Sequence, residues 1–529
     1  MNGIRLHSAY DPVREARRFI DNALDNAGFI PALIVMTEPA LSYAASAIRA
    51  RLPGCLACAV RYSRDFDSHN AQWDAVLYAA LECPASANNM AESLYARFGE
   101  ELLCAALFLP WEASERAFPE QSRLAWNSIK TAVSKARDVL ATREYFAERW
   151  HKNIIRFCVS VKKITLPHKG NSPAVIAAAG PSLELAVPRL RESRGNFFLI
   201  AVSSALEPLV SRGVIPDLCV SADGGFWAKE LLTGAACNDS PRHPVIACPA
   251  ESAVPARLFE TRAILPLSYN DNGAENVILK TLGFPALTVR RNGTVSGIAL
   301  DAARAVSSGQ VFFCGLDLGV SAGFQHAQPH SRELRERVFD TRVHPLALRQ
   351  AVSGFNAQGS LAVYKNWFLS HTGAGVFRVA PESGYSASRL MSSGKLMNRP
   401  SNMPRASRFA SAEQRESAGM RDISLDEFSR LVSHPPADMS YCGKPEPPPG
   451  DRANRARKLR ELIVGDIRRV KSGDAPSVFS FDDTFPARMV HMRRNNNLIA
   501  DNTELAGAFL SLMEKLLALA DSLCRYCTR

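Results

Sequence analysis

Between residues 173 and 318 the chain repeats one alternation: a strand-length apolar run, a stretch of helical periodicity, then another run. The runs are PAVIAAA (173–179), NFFLIAVS (196–203), DLCVSAD (217–223), HPVIACP (243–249), ALTVRR (286–291) and QVFFCGLDL (310–318). Between several of them lie LELAVPRLRES, ALEPLVSRG and SGIALDAARAVSSG. Strands that are continuously apolar are buried on both faces, and strands separated by helices pair in parallel, because a parallel connection must cross over the sheet. The sequence therefore predicts an α/β fold with a central parallel, Rossmann-like sheet covered on both faces. Ligands of such sheets gather outside the carboxyl ends of the strands.

The flanking regions follow simpler rules. Near the start, Asp11 is an N-cap and Pro12 a first helical residue, with Val13, Ala16, Phe19, Ile20 and Ala23 on one face. PALIVM (31–36) and CLACAV (55–60) read as strands around a helix in AASAIRARL, which predicts a smaller N-terminal α/β domain over residues 1–110. Residues 111–166 read as a helical bridge, with Trp126, Ile129, Ala132 and Val133 spaced for one face, leading to the Rossmann-like domain at 167–390. Residues 391–451 are rich in Ser, Pro, Arg and Gly and read as a linker. Residues 452–529 read as a mostly helical C-terminal region, whose Leu/Met/Ala stripe in NTELAGAFLSLMEKLLALADSL suits a packing face or a homo-oligomer contact.

Composition excludes several classes. With 47% hydrophobic and 22% charged residues among 529, the chain can bury a large core. Lys and Arg exceed Asp and Glu by 63 to 52, a net charge of +11 that suits phosphates or acidic sugars, so no nucleic-acid partner is expected. No run approaches the roughly 20 apolar residues of a membrane span, and MNGIRLHSAYDP lacks a basic segment followed by an apolar one. A cytoplasmic protein without a membrane partner is the expectation. Twelve cysteines, most in apolar or mixed segments, read as reduced thiols. The pairs Cys55/Cys58 and Cys524/Cys527 have zinc-ligand spacing but lie at opposite ends of the chain, and no metal ligand is assigned.

Four constellations offer chemistry. In AAAGPSLE a buried strand ends at Gly180, and Pro181 and Ser182 open a helix whose N–H groups suit an anion; a tight turn without a ligand has the same signature. In RRNGTVSGIALDAA the strand runs through Asn292, Gly293 and Thr294 into a helix near Ser296, just after Arg290 and Arg291. Asp223, Asp317 and Ser203 stand at strand ends on the same expected edge, where a carboxylate grips a hydroxyl, holds a cation or caps a loop. His326 and His330 follow Asp317 on a loop, and an imidazole titrating near neutrality can take a proton from an attacking hydroxyl.

The ordered set LHSAYDPVREA, WHKNI, AAAGPSLE, GVIPDLCVSAD, NGTVSGIALDAA and CGLDLGVSAGFQHA resembles the motility accessory factor family of flagellin glycosyltransferases over about residues 5 to 385. The central domain of that family is similar to family 42 sialyltransferases and to a hydroxymethylpterin diphosphokinase-like domain. The resemblance implies a CMP-activated nonulosonic acid of pseudaminic or legionaminic type as donor, and a Ser or Thr of flagellin as acceptor. It implies nucleotide or sugar contacts at Gly180, Pro181, Ser182, Thr294, Val295 and Ser296, and a catalytic Asp317 and His326, with His326 as base. The sialyltransferases carry tyrosines after the Gly-x-Asp strand, whereas this chain has Phe324 and no tyrosine between Asp317 and Pro329. Charge on the departing CMP then falls to helix N-termini, to Arg290 or Arg291, or to a divalent metal. A pterin diphosphokinase using ATP and Mg²⁺, and a non-catalytic flagellin-binding factor, are the alternatives.

Overall fold

The computed structural model describes residues 3–79, 84–233, 243–269, 273–291, 294–318, 325–355, 367–368, 372, 375–380, 420–433, 442–494 and 503–527. Two compact units divide the chain. One comprises Met1–Glu148 with Ile463–Lys515, and the other Arg149–Leu462 with Leu516–Arg529.

The first unit is built on four parallel strands, β1 (Leu33–Thr37), β2 (Leu56–Arg61), β3 (Ala75–Tyr78) and β4 (Leu107–Pro110), in the order β3-β2-β1-β4. Asp11 caps the helix Pro12–Ala27 by accepting from the Arg14 N–H at 2.9 Å, as the Asp-Pro pair predicts. One face of the sheet packs Leu33, Val35, Cys58 and Val60 against Ile129 and Ala132, with Trp126 and Val133 beside them. The stripe of the last helix is also spent on packing, since Leu505, Phe509, Leu512 and Met513 are buried.

The second unit carries a nine-stranded sheet. Its strands are β5 (Ala174–Ala177), β6 (Phe198–Val202), β7 (Leu218–Val220), β8 (Val245–Pro249), β9 (Ile264–Tyr269), β10 (Leu287–Val289), β11 (Val311–Cys314), β12 (Val376–Val379) and β13 (Met420–Ile423). All neighbours pair in parallel, in the order β10-β9-β8-β7-β6-β5-β11-β12-β13. The expected α/β architecture with a parallel sheet is what the chain adopts. Five consecutive steps wind outward from β5 to β10. The helix Val295–Val306 then carries the chain back across the sheet, and β11 pairs on the free side of β5, with Ile176 opposite Phe313 and Ala177 opposite Cys314. This reversal makes the β5/β11 boundary a topological switch point, where the crossovers on either side diverge and leave a crevice at the carboxyl edge. Val175, Ile200, Leu218, Phe312, Phe313, Ala299 and Ala303 form the dry core beneath it.

Two expectations are corrected. Residues 391–451 are not a plain linker, because MRDI (420–423) forms β13 and Ser424 caps the helix Leu425–Leu431 through the Glu427 N–H at 3.1 Å. An average over Ser, Pro and Arg hides a four-residue edge strand. The division of the chain lies between Glu148 and Arg149, inside the helix Pro119–Ser160, rather than at 110 or 166, and Ile463–Lys515 groups with the first unit.

Candidate functional site

The loops leaving β5 and β11 are stitched together beyond the ends of their strands. The Ala178 N–H donates to the Cys314 carbonyl, the Gly180 N–H to the Gly315 carbonyl, and the Ala327 N–H to the Ala179 carbonyl, each at 2.8 Å. A Cβ on Gly180 would stand 2.5 Å from the Gly315 oxygen and 2.7 Å from Asp317 Oδ2, so only glycine permits this approach. Gly315 takes the left-handed φ of 75° that turns β11 toward Asp317.

Asp317 closes the junction. Its Oδ2 accepts from the Ser182 N–H at 2.6 Å, and its Oδ1 accepts from the Ser182 hydroxyl. The anion position expected at the Gly180-Pro181-Ser182 turn, which opens the helix Leu183–Glu192, is thus filled by the protein's own carboxylate. Burial raises the Asp317 pKa above its ordinary value, against the two Ser182 bonds and the charge of Arg378.

The next turn carries His326. Its Nδ1 lies 2.8 Å from Glu333 Oε1, with the imidazole 30% exposed and the carboxylate 2% exposed. Gln328 Nε2 donates to Glu333 Oε2 at 2.6 Å, and Gln350 Nε2 to Oε1 at 3.0 Å, so the carboxylate is held from both sides. Burial alone would raise the Glu333 pKa, but the hydrogen bond and charge of His326, with Gln350, bring it below the ordinary value. A buried carboxylate on Nδ1 fixes the tautomer and leaves Nε2 as a proton acceptor. The turn is fastened by the Gln328 N–H donating to Glu184 Oε1 at 2.7 Å, and it contains a cis Gln328–Pro329 bond. His330 stacks on His326 with ring centroids 4.2 Å apart and planes 7° from parallel. It is buried, and burial followed by its neighbour His326 lowers its pKa to about 4.

The remaining sequence-derived residues spread along the same edge. Ser203 is buried where β6 turns into the helix Ser203–Val210. Asp223, exposed after β7, caps its own turn by accepting from the Gly225 N–H at 2.7 Å. Asn292 and Gly293 lie outside the described residues. Thr294 is the N-cap of Val295–Val306, and its side chain makes no capping bond. That turn leaves β10, five strands and about 24 Å from β5, but its helix packs back over β5 and β6. Both arginines have carboxylate partners. Arg290 Nε donates to both oxygens of Asp301, at 3.2 and 3.1 Å, while Arg291 grips Glu251 at 2.9 and 3.3 Å and lies over the Tyr269 ring at 4.0 Å.

Sequence reasoning passed over Glu333, Gln350 and Glu251. Glu333 was accessible, since His-x₃-His-x₂-Glu is a compact donor pattern. Gln350, 17 residues beyond Glu333 on another helix, carried no local signal.

Comparison with known proteins bears on the segment that carries this edge. Residues 148–323 match the MptE-like family, described as 6-hydroxymethylpterin diphosphokinase MptE-like. The likeness to a pterin diphosphokinase-like domain, expected from the ordered motifs, is found in this MptE-like segment. An uncharacterized protein of Treponema pallidum (strain Nichols) is 33% identical over 271 residues, which is 51% of this chain and 58% of the relative. A second from the same organism is 25% identical over 118 residues, 22% of this chain and 54% of that one. The chain thus spans about half the length of the curated relatives it matches. A solved structure, that of the MAf glycosyltransferase from Magnetospirillum magneticum AMB-1, aligns over 99% of this chain and 85% of its own, at 12% identity and a TM-score of 0.43.

Proposed function

We propose that this protein is an inverting glycosyltransferase that moves a nonulosonic acid of pseudaminic or legionaminic type from a CMP-activated donor to a Ser or Thr hydroxyl of flagellin. The observation that carries the reading is the His326–Glu333 pair, an oriented imidazole on the loop that leaves the switch point of a parallel sheet. With its Nδ1–H donating to Glu333, His326 accepts the acceptor hydroxyl proton at Nε2 as that oxygen bonds to the anomeric carbon, on the face opposite the breaking bond to the CMP phosphate. Arg290 and Arg291 are each held by a carboxylate, so the departing charge falls to backbone N–H groups or to a divalent metal. Asp317 acts as a positioning residue that fixes the Gly180–Ser182 turn beneath the donor. The ordered motifs support the choice of donor and acceptor.

The MptE-like match favours a second reading, diphosphate transfer from ATP–Mg²⁺ to a pterin alcohol. Thermal melting separates the two. Stabilisation by CMP, at about 2.7 kcal/mol when the nucleotide stands at 100 times its Kd, supports the transferase; stabilisation by ATP–Mg²⁺ alone replaces it with the kinase. Unchanged intact mass of flagellin after incubation with protein and CMP-sugar would reject the transferase reading.

A further inference from the structure

We propose that His326, His330 and Glu333 form a site for a transition-type divalent cation, zinc above all, and that the bound ion withdraws His326 from general-base work. The second half rests on the function proposed above, and the first half does not. The three side chains each offer one donor atom, and these atoms lie within 4.8 Å of one another. Two imidazoles and one carboxylate are a three-ligand set of the kind zinc takes when its fourth position is left to water or substrate. Magnesium and calcium prefer oxygen donors and are not suited to two nitrogens.

Independent of that proximity, His330 Nε2 is a buried polar atom without a hydrogen-bond partner, on a side chain of only 1% exposure. A buried polar atom left unsatisfied costs about 1–3 kcal/mol, and a cation would supply its partner. Ligation by Nε2 requires the ring proton on Nδ1, at the cost of the 3.4 Å N-cap bond that Nδ1 accepts from the Glu333 N–H. Tetrahedral ligation at about 2.0–2.1 Å sets donors about 3.3 Å apart. His326 Nδ1 and Glu333 Oε1, at 2.8 Å, already stand near that spacing. Convergence of all three donors on one ion requires His326 to rotate out of its parallel stack on His330, and its side chain is partly in solvent. Gln328 and Gln350 hold the carboxylate as outer partners of a metal ligand do.

The same geometry makes metal and base mutually exclusive. An ion on His326 Nδ1 displaces the proton that Glu333 held there, Nε2 becomes the protonated nitrogen, and the imidazole can no longer accept from a hydroxyl.

The test uses the full-length chain stripped with chelator and titrated with Co²⁺ by visible absorption and with Zn²⁺ by calorimetry. One ion per chain is expected, undisturbed by millimolar Mg²⁺, with affinity reduced roughly 10–100-fold in Gln350→Ala and by more in His326→Ala and His330→Ala. His326→Ala changes a partly exposed side chain, so it reports on the site even where His330→Ala fails to fold. Unaltered binding in His326→Ala, or a cobalt–thiolate charge-transfer band showing that cysteines hold the ion, overturns the site. Binding that leaves CMP-sugar transfer unimpaired overturns the competition while keeping the site. Absence of any transfer activity bears on the proposed function alone, because the titration does not depend on it.

Discussion

Replacing Glu333 by Gln tests whether His326 works as an oriented base. The substitution keeps the shape of the side chain and its burial but removes the negative charge 2.8 Å from Nδ1. A hydrogen bond to a charged group is worth about 1.5–3 kcal/mol, and each 1.36 kcal/mol is tenfold in rate, so the transfer kcat should fall roughly 10- to 150-fold. His326→Ala removes the base itself and should cost about 100- to 10,000-fold. The two losses should not multiply, since Glu333 has nothing to orient once the imidazole is gone; adding Glu333→Gln to His326→Ala should change the rate less than about twofold. The assay is intact-mass detection of one added acidic sugar on flagellin, with CMP-sugar saturating. If Glu333→Gln cost the same factor in both backgrounds, or nothing in either, the pair would be a structural ion pair and the assignment of the base would fail.

Other consequences follow from single contacts. Gly180→Ala would force its Cβ about 0.9 Å outward to relieve the approach to the Gly315 carbonyl. Such overpacking costs about 1–3 kcal/mol, so scanning calorimetry should find a melting point roughly 1–5 °C lower, and an unchanged value would show the β5/β11 junction to be looser than described. His330 is held neutral, with its pKa at about 4 against 6.5 when unfolded, so the unfolded chain binds more protons between those values and stability rises with pH there. The gap corresponds to roughly 3 kcal/mol, lost as pH falls from 6.5 toward 4. Urea midpoints should therefore drop more steeply across that window in the wild type than in His330→Asn, and parallel curves would contradict the shift. Burial pushes the thiols of Cys219 and Cys314 up to about 12, so neither should react with a disulfide reagent at pH 8 until urea unfolds the chain, as peptide mapping would reveal.

The sheet was legible because burial on both faces leaves a direct mark, as in VFFC and FLIAV, whose residues are all buried. β9 carries a weaker mark, since ILPLSY contains a proline and two polar residues, although all six are buried. Strand order was not legible at all. Nothing local says that β11 returns past five strands to pair with β5, yet that return brings Asp317 onto Ser182. The site was readable to the same depth: His326 and Asp317 stood out by type and position, whereas the partners that define their roles come from another helix or another strand end. Arg290 and Arg291 illustrate the opposite error, since two exposed-looking cations in sequence acquire Asp301 and Glu251 only in the folded chain.

The two helix N-termini on this edge divide the work unequally, and that asymmetry constrains any ligand. At Ser182 the partial positive end of Leu183–Glu192 is already matched by the Asp317 carboxylate, with both oxygens engaged. A phosphate placed there would meet a carboxylate of like charge in a half-buried setting, which is unfavourable unless a proton or cation intervenes. The turn at Thr294 has no such occupant among its described residues, since the Thr294 side chain does not cap and the arginine charges just upstream are compensated. An anionic group is therefore drawn to the Val295–Val306 helix, while the Gly180–Ser182 turn, braced by Asp317 and carrying His326 on the loop beside it, is suited to neutral hydroxyl-bearing groups.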